Sequence, residues 1–169
     1  SPDDVDWILG VNLRGVLHSC HSFLPLLRGG APGGHIVNMG SLAGLMGFPM
    51  QTTYCATKFA VRGFSAGLRA ELAGAGIGVT VVMPGAVRTA FMKASRSYDT
   101  DTSGTMARLM LEHALPPERV AAAILNAVRK NRAEVVLGPD GRLGRIVQRW
   151  APSVGRVAMS AAFKRWGTP

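Results

Sequence analysis

The sequence predicts an α/β fold: a parallel sheet layered with helices. Three observations lead there. Segments of helical period alternate with short β-branched runs along the 169-residue chain. Those runs, "HIVNM", "GVTVVM" and "AEVVL", are apolar, as strands covered on both faces of a parallel sheet are. Apolar residues make up 47% of the chain and charged residues 17%, which gives one domain a real core and leaves no room for a disordered reading.

Each element has its own signal. "SPDDVDWILGVNLRGVLHSCHSFL" opens with Ser1 as a cap, Pro2 at the first helical position, and Asp3 and Asp4 at the positive helix end. Val5, Ile8, Leu9, Leu13, Val16 and Leu17 then recur at helical spacing, so one long first helix is predicted. Asn12 falls near its buried face, where an amide needs partners. "GGAPGG" is a loop, "HIVNM" a buried strand, and Gly44, Gly47 and Pro49 break the chain before a second helix over 53–73. Ala56, Ala60, Gly63, Ala66, Gly67 and Ala70 line that helix with small side chains, which suits close helix-on-helix contact. "GVTVVM" is a strand stopped by Pro84-Gly85. After the polar stretch "KASRSYDTDTSG", Pro116 and Pro117 open a helix running to about Lys130, "AEVVL" forms a third strand, and two short basic helices split by Pro152 finish the chain. The expected organisation is a domain over 1–140 and a basic helical tail over 141–169.

The net charge of +9 is concentrated late, with six basic residues and no acidic one in 141–169. Such a tail favours polyanions, acidic lipid surfaces or anionic substrates. Cys20 and Cys55 read as free thiols of a reducing compartment. With no bilayer-length apolar run and no leader-like start, the expectation is a cytoplasmic protein. The first residue is Ser1 rather than methionine, as processing or a missing N-terminal part would produce.

Two glycine clusters, "GGAPGG" and "GAGIG", leave a helix and enter a strand. A phosphate loop does the reverse, so both are helix stops. Tyr54 and Lys58, in "YCATK", lie four apart and share a helix face. A phenol titrates near ~10; a neighbouring ammonium favours its phenolate and moves it towards acid/base work. The spacing alone equally describes a half-buried tyrosine beside a solvated lysine. Ser41, however, follows the strand "HIVNM" at the edge where sites on open parallel sheets gather, and Pro84-Gly85 ends the next strand there, with Thr89 just beyond. Taken singly, Ser41 reads as a turn former and Thr89 as a helix cap.

Together, "VNLRG", "HIVNMGS", "YCATK" and "MPGAVRT" resemble, in order and separation, the C-terminal part of the short-chain dehydrogenase/reductase family. The resemblance covers nearly the whole chain; the basic tail is its least diagnostic part. It implies the C-terminal half of a Rossmann-like, doubly wound parallel sheet, and an oxidoreductase that interconverts an alcohol and a ketone or aldehyde with NAD or NADP. In that reading Tyr54 is the catalytic acid/base. Lys58 tunes it and holds the nicotinamide ribose, Ser41 hydrogen-bonds the substrate carbonyl, and Asn12 holds a relay water. Pro84, Gly85, Val87 and Thr89, with Tyr54 and Lys58, contact the coenzyme. The family's glycine-rich turn, the residue that selects NAD or NADP, and its asparagine-alanine-glycine segment have no counterpart here. The resemblance therefore implies a fragment whose activity alone is in question, with most coenzyme contacts made by a missing N-terminal half. It also implies a homo-oligomer, dimer or tetramer.

His18, Cys20 and His21 lie close together but on one helix, short of a ligand set, so no metal is expected. The resemblance implies a substrate lid over about 90–115; Phe91, Met92, Met106 and Met110 there suit a hydrophobic carbonyl substrate and equally suit ordinary packing under a surface loop. In the tail, Arg142, Arg145 and Arg149 separate from Leu143, Ile146, Val147 and Trp150 at helical spacing. That separation is expected first to pack the apolar face against the domain or a second subunit; peripheral membrane contact and a non-catalytic interaction module stand as alternative readings. Nucleic-acid binding is not expected, because no motif accompanies the charge.

Overall fold

The computed structural model describes residues 1–30, 33–90 and 114–166. Helix α1 spans Pro2–Leu9, and its start is held by a reciprocal capping box between Ser1 and Asp4. The predicted single helix is then interrupted: Gly10–Arg14 form one π turn before α2 continues over Gly15–Gly29.

Strand β1 (His35–Met39) pairs in parallel with β2 (Gly78–Pro84), and β2 with β3 (Glu134–Leu137), in the order β1-β2-β3. Every residue of β2 is buried, as a central strand requires. Helix α3 (Thr52–Leu72) joins β1 to β2, and α4 (Pro117–Arg129) joins β2 to β3. After α3, a short 3-10 turn ends at Gly76, whose φ of 68° reverses the chain into β2. Helices α5 (Pro139–Trp150) and α6 (Pro152–Trp166) complete the described chain.

Two apolar clusters occupy one face of the sheet, the first beneath α2 and α3 and the second beneath the loop that follows β1. Cys20, Leu68, Leu72, Ile77 and Val79 form one; Leu42, Leu45, Val81 and Met83 form the other, nearer the strand ends. Val79, Val81 and Met83 alternate along β2, so one strand feeds both. Between these clusters lies a polar tie. The Asn38 amide donates to Ser65 Oγ at 3.0 Å, Ser65 donates to Val61 O at 2.7 Å, and Cys20 Sγ donates to Asn38 Oδ1 at 3.5 Å. It fastens α2, β1 and α3 to one another, and it satisfies the only amide in the apolar strand β1.

At the opposite end of the sheet, Thr80 Oγ1 donates to Arg132 O at 2.6 Å and lies 2.8 Å from His35 Nε2. The hydroxyl has one proton, already used on Arg132, so His35 Nε2 carries the proton of the second bond. Arg69 bridges Val79 O and Asn131 beside them. Glu134 accepts from Arg62 of α3 at 2.8 Å and forms a longer ion pair with Arg145 of α5 at 3.7 Å. Among the described residues, no helix is long and apolar enough to cross a membrane, and both cysteines are free thiols. Most of the lid expected over about 90–115 lies outside the described residues.

Candidate active site

The C-terminal ends of β1 and β2 set the site. Met39 pairs with Val82, and the ladder runs one step further through Gly40 N to Val82 O at 2.8 Å. That step delivers Ser41 at the sheet edge. Ser41 caps a 3-10 turn, Leu42–Gly44, its Oγ accepting from Ala43 N at 3.2 Å. The turn docks on the backbone of α3 at Lys58, an approach only glycine allows. A Cβ at Gly44 would meet Lys58 O at 2.7 Å. Farther along the loop, Phe48 N donates to Cys55 Sγ at 3.2 Å, pinning it to the first turn of α3.

Across this seam the Ser41 and Tyr54 side chains are hydrogen-bonded. The bond lowers the Tyr54 pKa. Lys58 lies one turn further along α3, its ammonium donating to Met39 O at 3.1 Å and sitting 5.6 Å from the Tyr54 ring centroid. At 9% exposed it is not a solvated surface lysine. Ser41, Tyr54 and Lys58 therefore stand close together at this sheet edge.

Their electrostatics differ from the expected arrangement. Burial pushes the Tyr54 phenol above its ordinary value, opposed by the Ser41 hydrogen bond, with a smaller upward push from Cys55. Burial also pushes the Lys58 ammonium down. Lys58 was expected to draw Tyr54 downward; in this half-sheet desolvation wins, and the serine supplies the downward pull. Tyr54 is thus held protonated at neutral pH.

Asn12 lies partly buried in the π turn, a segment that packs against α3. Pro84 closes β2 level with Leu137 of β3, and Gly85 N donates to Leu137 O at 3.2 Å. Val87 forms an isolated parallel bridge with Leu115, and Arg88 N donates to Leu115 O at 3.0 Å, which ties the segment after β2 to the entry of α4. Thr89 is exposed just beyond, its N–H on Val87 O at 2.9 Å, and it caps no described helix. The three candidates in α2 do not converge: His18 and His21 are exposed, whereas Cys20 is buried on Asn38. No group of three His, Cys, Asp or Glu side chains among the described residues is placed to hold a metal.

Sequence reasoning passed over Asn38, Gly44 and the Met39 carbonyl. Asn38 had a legible signal, a lone amide in an apolar strand, the same signal that singled out Asn12. Nothing in the sequence marks Gly44 as more than a chain breaker, because the atom it must clear lies in a different element.

The family model described as short chain dehydrogenase matches residues 1–100. SadH of Mycobacterium tuberculosis, named as an oxidoreductase, is 37% identical over 152 residues, covering 86% of this chain and 54% of its own. A C alpha-dehydrogenase of Sphingobium is 36% identical over 152 residues, with 84% and 50% covered. Among solved structures, a short chain dehydrogenase/reductase from Burkholderia phymatum in complex with NAD superposes with a TM-score of 0.78 at 25% identity, over 92% of this chain and 60% of that one. The chain spans about half the length of the curated relatives it matches.

Proposed function

The chain belongs to the short chain dehydrogenase family, and from that premise we propose that it carries the proton-transfer half of a nicotinamide-dependent oxidoreductase site. The reaction is the interconversion of an alcohol with a ketone or aldehyde. The observation that carries this reading is the hydrogen bond joining Ser41 to Tyr54, with the Lys58 ammonium buried one helical turn away. Three polar groups from two elements meet where a bare Tyr-Lys spacing would not require it.

The residues present fit the nicotinamide end of the coenzyme. One N–H of the Lys58 ammonium is spent on Met39 O, which leaves two donors for ribose hydroxyls. The segment Pro84, Gly85, Val87 and Thr89 ends β2 at the same edge and would line the ring and its carboxamide. When bound, the coenzyme, NAD or NADP, supplies or takes up the hydride. Tyr54, kept protonated by burial, gives its proton to the carbonyl oxygen as the carbon is reduced. Ser41 donates to that same oxygen and stabilises the charge that develops on it. Asn12, on the segment packed against α3, holds the water that reprotonates Tyr54. In the alcohol-to-carbonyl direction each proton moves back along the same path. A hydrophobic small-molecule substrate, a homo-oligomer formed through α1–α2 and α3, and a cytoplasmic location belong to the same reading.

Tyr54→Phe in the complete protein tests it. Carbonyl reduction followed by nicotinamide absorbance should fall by roughly 100- to 10,000-fold, the range of a lost general acid, with an unchanged circular dichroism spectrum. Turnover within a few-fold of the parent would overturn the assignment.

A further inference from the structure

We propose that the α5–α6 tail is a docking surface for an anionic lipid bilayer. The face of α5 turned to the domain is glycine: a Cβ at Gly141 would meet Leu42 and Val136, and one at Gly144 would meet Met46. Seated so closely, the helix turns its large apolar residues outward. Leu143 is 63% exposed, Ile146 58% and Trp150 77%. Successive steps of three and four place them on one stripe. Val154 and Val157 continue the exposed apolar surface on α6, which packs on Val147 through Gly155.

Charge selects the occupant. Residues 141–169 carry six basic side chains and no acidic one. Arg142 and Arg149 are exposed beside the stripe, and Arg149 lies 5.7 Å from the Trp150 ring, the amphipathic pairing suited to a headgroup boundary. On α6, Arg156, Ser160 and Lys164 recur every four residues and, with Val157 and Ala161, line one shallow depression where basic groups stand beside apolar ones. A second copy of this surface would set like charges against each other. A polynucleotide would match the arginines but leave the apolar stripe in water. An acidic bilayer satisfies both components. Docked there, α5 also sets the orientation of the Ser41 loop, because Leu42 and Met46 lie directly beneath its glycines.

The test is co-sedimentation of the complete protein with vesicles of phosphatidylcholine alone or mixed with phosphatidylglycerol. Binding should favour the anionic vesicles by at least about tenfold and weaken with salt. Arg142→Gln with Arg149→Gln should weaken it about 30-fold, from roughly 1 kcal/mol per basic residue. Ile146→Ser with Trp150→Ser should weaken it about tenfold or more, since both side chains are exposed and their loss leaves the fold intact by circular dichroism. No binding to anionic vesicles overturns the proposal, as does binding indifferent to both variant pairs. Equally fatal would be an apolar pair that splits an oligomer in lipid-free solution without touching vesicle binding. DNA binding tighter than vesicle binding, and unaffected by the apolar pair, would assign the charge to nucleic acid instead.

Discussion

Replacing Gly44 with alanine should separate packing at the site from packing elsewhere. The new Cβ would stand 2.7 Å from Lys58 O and 3.1 Å from the Lys58 carbonyl carbon. Both are backbone atoms in the middle of α3, so no rotamer change relieves them. A carbon–oxygen contact needs roughly 3.3 Å or more, so the 3-10 turn must lift by about 0.6 Å. Overpacking of this kind costs about 1–3 kcal/mol, and a backbone obstacle places it near ~2. The lift falls on the turn that Ser41 caps, and a shift approaching 1 Å at a reacting group costs up to about 100-fold in rate. Urea unfolding should therefore show a loss of about 2 kcal/mol, and, on the proposed function, kcat of the complete protein should fall about 10- to 100-fold. Gly47→Ala is the internal control: it lies in the same loop with nothing within 4 Å of its would-be Cβ, and should be neutral or slightly stabilising. If the two variants behave alike in both assays, the seam between Ser41 and α3 is not what holds the site.

Two further outcomes follow from the polar ties. Asn38→Ala removes the donor to Ser65 and the acceptor from Cys20 while leaving both buried, which should cost about 1–3 kcal/mol in urea unfolding; a loss under roughly 0.5 kcal/mol would mean the network carries no weight. Burial, and then Arg69, hold the His35 pKa below its ordinary 6.5. Between the folded value and 6.5 the unfolded chain binds a proton that the native chain does not, so stability rises with pH through that window, is full above it, and is lost on acidification. His35→Gln, which keeps a donor for Thr80, should flatten that part of the stability–pH curve measured by urea unfolding; an unchanged slope would show that His35 does not govern it.

Much of this was legible because it is local. The capping box at Ser1, the β-branched strands, the proline openings of α4 and α6, and the four-residue spacing of Tyr54 and Lys58 all depend on neighbours within one turn. The strand edge that gathers Ser41 with Pro84 was legible too, because parallel strands joined by helices start and end in step. What escaped depends on three-dimensional approach. The π turn at Asn12 leaves the apolar period nearly intact, so periodicity continued straight through it. The direction of the Tyr54 shift depends on how much water the loop over residues 41–51 excludes, which no spacing reveals. Gly141 and Gly144 look like weak points in a helix until the side chains they clear, Leu42, Val136 and Met46, come into view.

The π turn itself places Asn12 in an unusual position with respect to chain length. Losing one residue from a regular α-helix rotates everything downstream by about 100°, which would swing the buried stripe of α2 off the sheet. A π turn already holds one residue more than the helix needs. Shortening Gly10–Arg14 by one residue would restore an ordinary helix and leave both α1 and α2 where they are. Within the first 29 residues, this is the place where a one-residue deletion leaves the scaffold undisturbed, and it is the segment that carries the candidate relay residue. Fold and chemistry are therefore separable here: a descendant of this chain could shed the turn, keep its core, and lose only the placement of Asn12.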